Sequence, residues 1–112
     1  MKRPTKRLKL LTMTDMVDIL LDFDVVHDAE VLITSEKENE TDECYGATDH
    51  EGSRIMLCDR FPQGVRRLTI LHELYHARDF REGYESLEKP VEKISERHYA
   101  KLFGHKFLGK RK

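Results

Sequence analysis

Thr69-Ile70-Leu71-His72-Glu73-Leu74-Tyr75-His76-Ala77 is the stretch on which the reading of this chain turns. From Val65 to Phe80 there is no glycine or proline, and Val65, Leu68, Ile70, Leu71, Leu74 and Tyr75 cover more than one side of a 3.6-residue period. That pattern predicts a buried helix. On it, His72 and His76 lie one turn apart on the same face, so two imidazole nitrogens can be offered to a single ion. Buried imidazoles must find hydrogen-bond partners or a metal. Glu73 stands beside them, a carboxylate where a water activated by the ion would need a base.

Two histidines do not complete a metal site, and the next carboxylates lie downstream. Arg81-Glu82-Gly83-Tyr84-Glu85 reads as a helix end with Gly83 as its stop. Lys89-Pro90 then opens a new helix, with Pro90 in its first turn, running through Val91, Ile94, His98, Tyr99, Leu102 and Phe103 to Gly104. At about 100° per residue, the apolar stripe of that helix centres near Leu102, with Glu92 roughly 80° and Glu96 roughly 120° away. Glu92 is the expected third ligand because it is nearer the buried side, and Glu96 is the alternative.

Upstream, Thr12-Met13-Thr14-Asp15 has the form of a capping box, and Met13, Met16, Val17, Leu20 and Leu21 follow at helical spacing. This predicts a helix ending near Phe23 and packed over a sheet. The β-branched stretch Val25 to Thr34 contains a strand, with a turn near His27 and Asp28, and an acidic loop follows from Ser35 to Glu43. Tyr45-Gly46-Ala47-Thr48 and Arg54-Ile55-Met56-Leu57-Cys58, separated by Asp49-His50-Glu51-Gly52, predict an antiparallel hairpin. Asp49 and His50 are metal-binding residue types, but a turn is where such residues ordinarily sit. The expected architecture is α+β: a small antiparallel sheet against an N-terminal helix and the histidine helix, then a C-terminal glutamate-bearing helix.

With 112 residues the chain has room for one domain, expected at 12–108 between a flexible basic N-terminus, 1–11, and a basic tail, 109–112. The net charge of −1 conceals an asymmetry, since Lys2, Arg3, Lys6, Arg7 and Lys9 begin the chain, Lys110, Arg111 and Lys112 end it, and Asp28 to Glu43 is strongly acidic. Basic tails of this kind are usually solvated, and a nucleic-acid surface would instead need basic residues and stacking aromatics on folded elements. Cys44 and Cys58 form no CxxC knuckle and read as free thiols of a reducing cytoplasm. Lys9, Asp15 and Asp18 interrupt any signal-peptide core, and no run of roughly 20 apolar residues exists to span a membrane.

The central run resembles the HExxH motif of the zincin metallopeptidases. From Arg54 through the HELYH helix to Val91-Glu92, the order of strand, HExxH helix, short loop and glutamate-bearing helix is similar to small gluzincin-type enzymes, namely the ImmA-type and phage-encoded SprT-like minimal domains. The HExxHxxGxxH and ExxAN extensions are absent. The resemblance implies a minimal zincin-like fold and one Zn2+ held by His72, His76 and Glu92. It also implies hydrolysis of a protein or peptide substrate with Glu73 as general base, the substrate lying extended along the hairpin strand at Arg54 to Cys58. Tyr75, Tyr84, Tyr99 and His98 are of the right type to assist an oxyanion. Cobalt, nickel or manganese could use the same ligands. The competing expectations are an inactive zincin-like module that binds another protein, and a nucleic-acid-binding accessory protein that uses its basic ends.

Overall fold

The structure is a computed structural model that describes residues 9–27, 32–33, 43–44, 46–49, 53–58 and 61–106. Helix α1 (Met13–Asp22) begins where the capping box requires: Thr12 Oγ1 accepts from the Asp15 amide and Asp15 returns a bond to the Thr12 amide. Strand β1 (Asp24–Val26) follows, then a short antiparallel pair, β2 (Leu32–Ile33) with β3 (Glu43–Cys44). Strands β4 (Gly46–Asp49) and β5 (Arg54–Leu57) form the expected hairpin, in the register Gly46 to Leu57 and Asp49 to Arg54. Helix α2 (Gln63–Glu82) and helix α3 (Glu88–Phe103) complete the described chain. Among the described residues, no helix is long and apolar enough to cross a membrane. The acidic stretch 34–42, His50 and the tail 109–112 lie outside the described residues.

The α+β class expected from the sequence is the one observed, with two corrections. The principal sheet is mixed, because β1 pairs parallel to β5 while β4 pairs antiparallel to it. Its order is β1-β5-β4, so β5 is the central strand, bonded on both sides. An extended peptide cannot add to a strand whose two ladders are already used. The expectation that substrate lies along Arg54 to Cys58 therefore fails, and β4 is the edge on the hairpin side.

One core joins the layers. Ile55 and Leu57 of the sheet meet Leu68, Leu71, Leu74, Tyr75 and Ala77 of α2, with Val91, Ile94 and Tyr99 of α3 and Met16, Ile19 and Phe23 of the α1 end. Every residue of α2 from Leu71 to Asp79 is buried, as its apolar breadth predicts. Helix α1 is turned from the expected stripe. Met16 and Ile19 face inward, whereas Met13 and Leu21 are 67% and 78% exposed. Its apolar residues surround so much of the cylinder that periodicity could not choose a face. Ion pairing of Asp22 with Arg81 at 2.8 Å accompanies the one adopted.

The expected tail boundary also moves. Leu11 is buried, its amide donates to the Tyr75 hydroxyl at 2.9 Å, and the Lys9 carbonyl accepts from Arg78 at 2.5 Å. Residues 9–11 thus belong to the folded unit rather than to a flexible N-terminus. Charge density suggested a free segment, but a backbone donor and acceptor matched to two buried α2 side chains hold it down.

Candidate metal centre

His72 and His76 project from one face of α2, and the chain that follows is built to return to them. Gly83 ends α2 in the left-handed conformation, φ 77°, where its lack of a Cβ removes the steric cost. Four residues later α3 begins, with Leu87 as N-cap and Glu88 as its first residue. Glu88 Oε1 stands 2.5 Å from His72 Nε2, and Glu88 Oε2 stands 3.0 Å from His76 Nε2. The two Nε2 atoms are 3.1 Å apart. These three residues form the one His/Cys/Asp/Glu cluster of metal-binding geometry among the described residues.

The carboxylate brought to the histidines is therefore Glu88, and neither Glu92 nor Glu96 belongs to the cluster. Glu92 lies one turn further along α3 and is half-buried, and Glu96 is exposed. The physical reason is the position of the helix start. Placing Pro90 at the first helical residue leaves Glu88 in the loop, but Pro90 is the third residue of α3. Proline is tolerated there because the first-turn amides have no intrahelical carbonyl to bond. Carrying the same helical wheel one turn back would have put Glu88 roughly 40° from the stripe centre, nearer than either candidate.

A relay behind His76 sets its orientation. Ser86, in the loop between α2 and α3, donates from Oγ to Asp79 Oδ2 at 2.8 Å, and its Oγ stands 2.6 Å from His76 Nδ1. With the serine proton committed to Asp79, Oγ must accept from His76 Nδ1–H, which leaves the lone pair on Nε2 facing Glu88 and His72. Outer partners of this kind fix the tautomer of metal-bound histidines. Burial pushes Asp79 above the ordinary carboxylate range, against the Ser86 bond and the charges of Arg78 and His76.

An ionised Glu88 and an Nε2 lone pair at 3.0 Å are two acceptors facing each other, and such a contact takes either a proton or a metal ion between them. Burial raises Glu88, but the charges of His72 and His76 and the bonds they form outweigh it and hold the group below its usual value. Its side chain is 68% exposed while that of His72 is 2% exposed, so the cluster is rooted in the core and open on the carboxylate side. Taking one ligand atom from each residue, the three lie within 4.8 Å of one another, so a shared ion needs only a small turn of the exposed Glu88 carboxylate toward the two rings. Two imidazoles and a carboxylate form a donor set suited to Zn2+.

Glu73 is held separately. The Thr48 hydroxyl of β4 donates to Glu73 Oε1 at 2.7 Å and lies 3.3 Å from the Glu73 carbonyl. The strand comes this close because of Gly46, where an added Cβ would stand 2.8 Å from both the Met56 carbonyl oxygen and the Thr69 methyl on α2. Tyr75 and His98 are occupied elsewhere: the Tyr75 oxygen accepts from the Leu11 amide and lies 2.7 Å from His98 Nδ1, and because a buried hydroxyl proton needs an acceptor we assign Tyr75 as donor to that nitrogen. Both are buried. No family model, curated protein or solved structure matches this chain.

Proposed function

We propose that this protein is a small zinc-dependent peptide-bond hydrolase of the zincin kind, with His72, His76 and Glu88 as metal ligands and Glu73 as general base. The observation that carries this reading is the convergence of two Nε2 atoms 3.1 Å apart with a carboxylate whose two oxygens each approach one of them, His76 being oriented from behind through Ser86 and Asp79. When bound, the ion would supply a water acidic enough to ionise near neutral pH and a centre that polarises the scissile carbonyl. Glu73 would take the proton of that water and return it to the leaving amine. Thr48, donating to one Glu73 oxygen, limits the rotation of the group. Tyr75 and His98, committed to each other, take no part in oxyanion stabilisation. The edge strand β4, which carries Thr48, is the side on which an extended peptide would approach. We place the protein in a reducing cytoplasm, which the free, buried thiol of Cys58 fits.

The decisive measurement is zinc content of the purified full chain, paired with cleavage of an unstructured protein substrate. The wild type is expected to hold about one zinc per chain. His72→Ala and Glu88→Ala should lose it, while Glu92→Ala, Glu96→Ala and Glu73→Gln keep it. Cleavage should fall by about two to four orders of magnitude in Glu73→Gln. A wild type that binds no divalent metal would overturn the reading. Metal binding with no cleavage by the wild type would leave a binding module instead, and equal cleavage by wild type and Glu73→Gln would remove Glu73 as the base.

A further inference from the structure

On the face of α2 away from the metal ligands, a cavity of about 230 Å3 lies between the first turns of the helix and the ends of the paired strands β1 and β5, where His27, Leu57 and Cys58 line it. Its inner wall is the buried Leu57 and the half-buried Ile70, and its rim is His27, Gln63, Arg66 and Arg67. On a helical wheel, Gln63, Arg66, Arg67 and Ile70 centre roughly 150° away from the midpoint of His72 and His76. The cavity is therefore separate from the candidate metal centre and does not depend on it.

Among the described residues, the charged groups that line this cavity are cationic. Among the described residues neither Arg66 nor Arg67 forms an ion pair, and the close partner of the Arg67 guanidinium is the Phe103 ring at 4.7 Å. The first turn of α2 contains no acidic residue, and Pro62 provides no side-chain cap for its amides. The helix dipole then adds to the two guanidinium groups instead of being neutralised. A hydrophobic inner wall beneath cationic donors selects a ligand with two ends. Guanidinium groups prefer a carboxylate, which they can bind through paired N–H donors, and Leu57 with Ile70 favours a hydrocarbon body. A ligand pocket for a drug-sized molecule occupies about 300–1,000 Å3, so this one admits something smaller.

We infer that this cavity is a binding site for a small amphipathic carboxylate, with Arg66 and Arg67 taking the anionic end and Leu57 and Ile70 the aliphatic end. The test is an amide NMR titration of the full chain as purified with hexanoate, alongside hexanol, butanoate and inorganic phosphate. Hexanoate should saturably shift the amides of Leu57, Arg66 and Ile70 while leaving those of His72 and His76 in place. Each methylene between butanoate and hexanoate should strengthen binding by about threefold to fourfold. Arg66 is exposed, so Arg66→Gln should fold normally yet weaken hexanoate by about fivefold. The inference is overturned if hexanol binds as well as hexanoate, if phosphate binds as well, if Arg66→Gln has no effect, or if the shifts centre on the HELYH face.

Discussion

His76 and His98 are both buried, and each has a ring nitrogen within 2.7 Å of a hydroxyl, yet the two environments differ in what they leave over. His98 Nδ1 accepts from Tyr75, whose oxygen in turn accepts from Leu11, and the chain of bonds closes inside the core. His76 Nδ1 is instead the donor of its pair, because Ser86 has given its own proton to Asp79. Its other nitrogen is turned toward His72 and Glu88, where a proton or a metal ion can be shared. A satisfied histidine and a ligand-ready histidine are thus separated by the direction of one hydrogen bond, which follows from the residue behind the ring.

The comparison breaks most sharply if the two histidines respond alike to removal. His72→Ala and His76→Ala should abolish zinc binding and cleavage in a chain that still folds. His98→Ala should leave zinc stoichiometry unchanged and lower stability, because the Tyr75 hydroxyl is left buried without its acceptor, a loss of about 1–3 kcal/mol. Zinc analysis and denaturant unfolding of the three variants separate the roles. Loss of zinc from a folded His98→Ala chain would erase the distinction drawn here.

The relay sharpens it at a smaller scale. Ser86→Ala removes the group that holds His76 Nδ1–H and couples it to Asp79. Zinc affinity should fall by about 10- to 100-fold with the ligands intact, read by competition with a chromophoric chelator, and Ser86→Thr should restore most of it. An unchanged affinity would mean that packing alone orients the ring.

Much of this arrangement was legible in advance. The capping box at Thr12, the hairpin, the buried HELYH helix and the glycine stops at Gly83 and Gly104 each follow from local chemistry, and each is observed. What failed was whatever depends on where one element stands against another. Proline at position 90 fits two helix starts equally well, and only the returning α3 helix distinguishes the one that brings Glu88 to the histidines. The parallel pairing of β1 with β5 joins residues about 30 positions apart, and no local periodicity encodes such a partner. Leu11 and Lys9 looked like tail residues until Tyr75 and Arg78 supplied their partners.

Gly46 tests how the sheet serves the metal side. Gly46→Ala must displace either the Met56 carbonyl or the Thr69 side chain, both 2.8 Å from the new carbon. Overpacking of this order costs about 1–3 kcal/mol, measurable by chemical denaturation. Because the strand carries Thr48, cleavage should fall further than stability explains while zinc content stays at wild type. Normal cleavage at a temperature where the variant remains folded would show that the Thr48 contact to Glu73 is dispensable.

The smallest effect lies on the closed side and concerns pH. Burial, with Lys101 and Arg78 nearby, holds His98 below its ordinary value of 6.5. A depressed folded value means that the folded chain resists a proton that the unfolded chain accepts. The contribution of His98 is therefore fully present above about pH 6.5 and is lost progressively as pH falls from there through the folded value. Protonation also removes the lone pair that Tyr75 uses, so the hydrogen bond and the charge act in the same direction. Glu88 changes stability with the same sign, but its ordinary value is 4.5, and its share is lost in a more acidic window. Unfolding free energies of wild type and His98→Gln, compared between about pH 7.5 and 5.5, isolate the histidine. Glutamine keeps an acceptor for Tyr75 and cannot titrate, so its curve should be the flatter one. Parallel curves would assign the pH dependence to His72 and His76, and would make the open cluster, not the closed one, the acid-sensitive part of the fold.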